Sequence, residues 1–289
     1  MKTRILSSLF ILLTVVLDTA CYKEESIDAP VKTVDISTDP LDVYIQNNFT
    51  DTYGIAVRYK FVDRYVEIGK RVTPPSRDAV IPMLTFLKSY WIDSFTGVPN
   101  GEAFFKTHVP AEMVMIGSAI YNGDGTVTLG TADAGARITL TEVNEVDSTS
   151  IDWVFTQLST IFHEFAHIVH QDYGLPPSWQ TISPQGYTSL GSWYTLSDED
   201  ALERGFVSPY ATSTFNEDFA ETVSHILFRP DFYYTYMIDE TYCADASCEA
   251  RNAGRAKIRE KYNAILTHYK EYTGVDLLQV RALVQAKFN

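Results

Sequence analysis

From Ile151 the sequence places apolar side chains on nearly every side of a helical wheel: Trp153, Val154, Phe155, Leu158, Ile161, Phe162, Phe165, Ala166, Ile168 and Val169. A helix of that kind belongs in an interior. Interiors exclude polar side chains unless something satisfies them, at about 1–3 kcal/mol for each group left unpaired. Yet this helix carries His163, Glu164, His167 and His170 toward its C-terminal end. The chain must therefore bury the helix in a domain and find partners for four polar groups.

The spacing names one kind of partner. In His163-Glu164-Phe165-Ala166-His167 the two histidines are i and i+4, on one helix face and about 6 Å apart along the axis. Two imidazoles placed so can converge on one ion at about 2.0 Å each. Glu164 is turned about 100° from His163, beside such an ion and within reach of a water on it. Core histidines satisfied by other groups are the alternative. His170 is about 10.5 Å along the axis from His163, too far for both to bind one ion, and is expected beside the site or at the surface. The longer pattern HExxHxxGxxH is not met, because position 170 is His and position 173 is Tyr.

A catalytic zinc takes three protein ligands and keeps a fourth position open. The next candidate helix is Asn216 to Leu227, with apolar periodicity through Phe219, Ala220, Val223, Ile226 and Leu227 and Pro230 to end it. Glu217 and Glu221 are one turn apart on it. Glu217 can bind the metal while Glu221 accepts the free N–H of a ligand histidine and fixes its tautomer. A solvated acidic patch is the other reading of this pair.

HExxH followed by a helix bearing ExxxE is similar to the gluzincin metallopeptidases, and the spacing of Tyr210, Glu217 and Glu221 resembles the catalytic domain of anthrax lethal factor-like peptidases. The resemblance implies one Zn2+ per chain held by His163, His167 and Glu217, with Glu221 behind a ligand histidine. It implies Glu164 as general base and Tyr210 as hydrogen-bond donor to the developing oxyanion of a peptide or protein substrate. Without it, Tyr210 would be one rim or core aromatic among 18 tyrosines. Two other classes stay open: a non-catalytic zinc-fold component of an import system, and a zinc hydrolase acting on a non-peptide bond.

The N-terminus bears on location. Lys2 and Arg4 precede a mostly apolar run from Ile5 to Leu17, shorter than the roughly 20 residues of a membrane span. The ending Leu17-Asp18-Thr19-Ala20-Cys21 resembles a bacterial lipobox, whose cysteine is lipidated; a plain cleaved signal is the alternative. Lys23-Glu24-Glu25-Ser26 after Cys21 looks like the acidic export tag of surface lipoproteins, or else a solvated tether. With the zinc motifs, the chain resembles the zinc metallopeptidase lipoproteins of Bacteroidetes associated with SusC/SusD-type nutrient import. That implies an outer membrane lipoprotein exposed at the cell surface. A formal charge of -14 and the lack of a long basic run argue against nucleic acid as a partner.

The expected organisation is a signal segment (1–20), a lipidated N-terminus and flexible stalk (21–40), and a single α+β, zincin-like domain (41–289). A mixed sheet precedes an active-site helix and a helical C-terminal part. Strands are expected at Ile55 to Phe61, Met113 to Tyr121, Thr126 to Gly130 and Arg137 to Thr141, and a helix at Asp78 to Phe95. Either of the last two strands is a candidate edge for an extended substrate. Gly174 to Pro209, with Trp179, Tyr187, Trp193 and Tyr194, reads as a substrate-selecting wall or a structural cover. Cys243 and Cys248 point to a local disulfide. Helices at Arg251 to Tyr272 and Asp276 to Phe288 finish the domain, their charges read as solvated faces.

Overall fold

The computed structural model describes residues 37–121, 127–128, 130–133, 137–188 and 191–288. The signal segment, Cys21 and most of the stalk lie outside the described residues, as do Asn122 to Gly125 and Ala134-Gly135. Asp39 opens the first helix, α1 (Pro40–Ile45): its carboxylate accepts the Leu41 N–H at 2.8 Å, and Pro40 occupies the first turn, where its missing N–H costs nothing. From Asp39 to Asn289 the chain forms one unit.

The sheet is small and mixed. β1 (Ala56–Arg58) runs parallel to β2 (Glu112–Met115), which runs parallel to β6 (Arg137–Leu140); β5 (Gly130–Asp133) pairs antiparallel with β6 and ends the sheet. The expected Met113 to Tyr121 strand divides instead: β2 stops at Met115, and Ile120–Tyr121 (β3) pairs with Val127–Thr128 (β4) in a separate two-stranded sheet. Gly117 lies in the break. A Cβ there would meet the Pro74 carbonyl oxygen at 2.2 Å, so the chain turns where only glycine fits. Glu112 ties three strands together, accepting from Arg58 at 3.0 Å and from Arg137 at 3.2 Å. One face of the sheet carries Met113, Met115, Ile138 and Leu140 into the main core; Val114, Ile116 and Ile120 make a smaller cluster under Tyr65, Val66 and Val72.

Helices cover the main face. α2 (Arg77–Leu87) continues through a wide turn (Lys88–Ile92) to Thr96, and α3 (Gly101–His108), not anticipated from sequence, follows it. α4 (Ile151–Tyr173) is the buried helix. Ser150 caps its start by accepting the Trp153 N–H, and Gly174, at φ 73°, ends it. Its Phe165 lies 5.0 Å from Phe95 and 5.4 Å from Trp91, ring centroid to centroid. Each such ring contributes about 1.5–3 kcal/mol by leaving water. This is the anchorage that lets α4 hold polar groups farther along.

The C-terminal part comprises α5 (Asp198–Arg204), α6 (Phe215–Phe228), α7 (Ala246–Thr273) and α8 (Leu277–Gln285). A capping box of Ser197 and Asp200 starts α5. α7 passes so close to the end of α5 that a Cβ on Gly254 would lie 1.7 Å from the Leu202 carbonyl oxygen. Cys243 and Cys248 are bonded at the start of α7. The charges of α7 and α8 are not all solvated. Lys261 is wholly buried, and Arg255 and Arg281 are nearly so.

Candidate metal centre

α6 packs along α4, and Ser224 Oγ of α6 donates to the Ser159 carbonyl of α4 at 2.9 Å. The contact brings Glu217 to the two histidines. His163 Nε2 and His167 Nε2 are 3.0 Å apart, and Glu217 Oε2 lies 3.0 Å from the first and 3.2 Å from the second. Among the described residues this is the one cluster of three or more His, Cys, Asp or Glu side chains fit to hold a metal. Thr214 caps α6 by accepting the Glu217 N–H at 3.2 Å, so Glu217 occupies the first turn, where the helix dipole favours a carboxylate.

The donor chemistry fits zinc. His163 Nδ1 lies 2.8 Å from Glu221 Oε1, and a carboxylate can only accept, so His163 carries a proton on Nδ1, which leaves Nε2 as the nitrogen that could ligate a metal in place of a second proton. Nε2 of both histidines and Oε2 of Glu217 face one point. Four ligands at about 2.0 Å around a tetrahedral ion stand about 3.3 Å apart, close to the separations seen here. Burial opposes charge on His163, but hydrogen bonds to Glu217 and Glu221 outweigh it and lift its pKa to about 10. Positive charge is favoured at this spot. Glu221 is itself nearly buried; burial would raise its pKa, yet the His163 contact leads the opposing effects and brings it down to about 2.

Of two further groups around the centre, Ser208 was not anticipated from the sequence, and His170 was expected beside the site or at the surface. Ser208 Oγ donates to the second Glu221 oxygen at 2.5 Å and accepts the Ala211 N–H at 3.1 Å, so a loop serine fixes the carboxylate that fixes His163. His170 Nε2 lies 2.8 Å from His167 Nδ1. Of the two expected positions, beside the site or at the surface, His170 takes the first: seven residues from His163, it stands one turn from His167.

Glu164 is 9% exposed, and burial holds its carboxyl above the usual carboxylate range. Tyr210 opens a tight turn (Tyr210–Thr212) with its ring 5.9 Å from that of His163; burial, then the charge of Glu217, pushes its phenol up. The segment between α4 and α6 divides by role. Trp179 is wholly buried edge-on to Phe219, and Tyr187 donates to Asp218 Oδ2 at 2.6 Å; both are structural cover. Trp193 packs edge-on against Tyr210 at 5.0 Å, and Tyr194 beside it is 69% exposed. Of the two candidate edge strands, Arg137 to Thr141 is excluded, since β6 is paired on both sides, and Thr126 to Gly130 supplies Val127–Thr128 (β4) to the separate two-stranded sheet; the edges of the four-stranded sheet are β1 and β5, and β5 touches α4.

Residues 34–278 match the family described as "Putative zinc-binding metallo-peptidase". The crystal structure of a protein described as a putative zinc-binding metallo-peptidase from Bacteroides caccae ATCC 43185 superposes with a TM-score of 0.70 at 26% sequence identity, over 88% of this chain and 95% of that one. No curated protein matches the chain significantly.

Proposed function

The chain belongs to that zinc-binding metallo-peptidase family, and from this premise we propose that it hydrolyses peptide bonds with His163, His167 and Glu217 as zinc ligands and Glu164 as general base. The observation that carries the reading is the convergence of three lone-pair donors from two helices. Bound zinc supplies a Lewis acid that polarises a water molecule and the scissile carbonyl. Glu164 takes a proton from the water and passes it to the departing amine, a role suited by a carboxyl whose pKa is raised by burial. Tyr210, kept protonated at neutral pH by its raised pKa, donates to the oxygen on which charge develops. The spacing resembling lethal factor-like peptidases supports this part for Tyr210. An extended substrate would pair with β5, the open edge of the sheet beside α4.

Glu164→Gln is expected to keep its zinc and to lose at least about a hundredfold in cleavage of a proteome-derived peptide library. Equal turnover by mutant and wild type would remove the general-base role.

Location and partners extend the proposal. The lipobox-like ending at Cys21 supports a lipid anchor in the outer membrane, with the catalytic unit at the cell surface serving nutrient acquisition beside a SusC/SusD-type importer. Cys21→Ser should release the protein from the membrane fraction; continued association would discard the anchor.

A further inference from the structure

We infer that His170 is a positioning residue for the zinc site: its Nε2 accepts the Nδ1–H of His167 and so leaves the His167 Nε2 lone pair free for the metal. The inference rests on the zinc reading above. The contact between His167 Nδ1 and His170 Nε2, at 2.8 Å, holds one proton between two ring nitrogens. With the proton on His167, the far nitrogen of that ring can ligate. With the proton on His170, a neutral His167 carries its own proton on Nε2 and cannot ligate.

Packing holds the His170 ring for this task. It is 9% exposed, and Phe219 meets it edge-on at 5.8 Å. Phe219 stands two residues from Glu217, so the helix that delivers the third ligand also holds the ring that prepares the second. The two ligand histidines are thus oriented differently, His163 by a carboxylate and His167 by an imidazole. Charge explains the difference. Glu164, Glu217 and Glu221 already crowd the centre, and a fourth carboxylate would add repulsion where an imidazole adds an acceptor without charge.

The test compares zinc affinity by chelator competition, with the Co2+ absorption spectrum as a second readout. His170→Phe keeps a flat ring against Phe219 and deletes the acceptor; its zinc dissociation constant is expected to rise about 10- to 100-fold. His170→Gln, whose amide oxygen reaches a comparable point, should recover most of the loss and restore the Co2+ spectrum. A His170→Phe affinity within about twofold of wild type overturns the inference and leaves the zinc site standing. Loss in both variants assigns the effect to packing and also overturns it, whereas a wild type that binds no zinc removes both readings. Should the variants fail to fold, two-bond 1H–15N spectra of the zinc-loaded wild type decide: a bare Nε2 on His170 is expected, and a proton there overturns the assignment.

Discussion

A ligand histidine has two nitrogens, and the one that does not touch metal decides whether the other can. At this centre Glu221 and His170 settle that question for His163 and His167, and Ser208 settles it for Glu221. Glu217 meets both imidazoles directly. Glu217→Ala is therefore expected to remove most of the zinc from a wild type holding about one ion per chain, read by elemental analysis of the folded protein. Unchanged metal content would reassign the third ligand. The two histidines and Glu164 were legible because i, i+4 geometry is built into a helix, and Glu217 and Glu221 because one turn separates them. Ser208 was not, since a loop hydroxyl has no period to betray it.

Helices deliver these side chains, and the contact between α4 and α6 must hold to a fraction of an ångström. Behind Glu217, Asp218 faces the other way into a wholly buried ion pair with Lys261 of α7, 2.8 Å apart. Burial pushes Asp218 up and Lys261 down, and bonds to Tyr187 and the Gly205 carbonyl offset part of that penalty. Lys261→Met should destabilise the fold by about 3–5 kcal/mol, since it strands a buried carboxylate. Pairing it with Asp218→Leu should return part of the loss, measured by urea unfolding. A single mutant as stable as wild type would show that the pair does not bear on α6. Elements with strong apolar periodicity, α2, α4 and α6, were legible from sequence. Lys261 was misread as solvated because a charge in a long amphipathic helix looks the same whether it meets water or a carboxylate from a helix elsewhere in the chain.

Across the whole unit, the loss of stability in acid can be assigned in part to one carboxylate. Glu240 accepts from Arg251 at 2.6 Å and Arg255 at 2.8 Å, and those bonds, Arg251 first, bring its pKa from 4.5 to about 2. A carboxylate depressed in the fold stabilises above its unfolded value and loses that contribution as pH falls through the folded one. The stability gap between wild type and Glu240→Gln should then be present near neutrality and shrink between about pH 4.5 and 2. A gap independent of pH would deny the bonds that role. Among the described residues no helix is long and apolar enough to cross a membrane. The α+β class was legible from the order of periods, strands before helices. The division of the Met113 to Tyr121 stretch was not, because the crowding at Gly117 comes from Pro74, more than forty residues earlier.

Glu217 comes fifty residues after His167. During synthesis the histidines emerge well ahead of the carboxylate that, on the zinc reading proposed above, would complete the coordination. On that reading a polypeptide truncated before residue 217 would hold two of the three ligands, and full-strength loading would wait until the later helix docks.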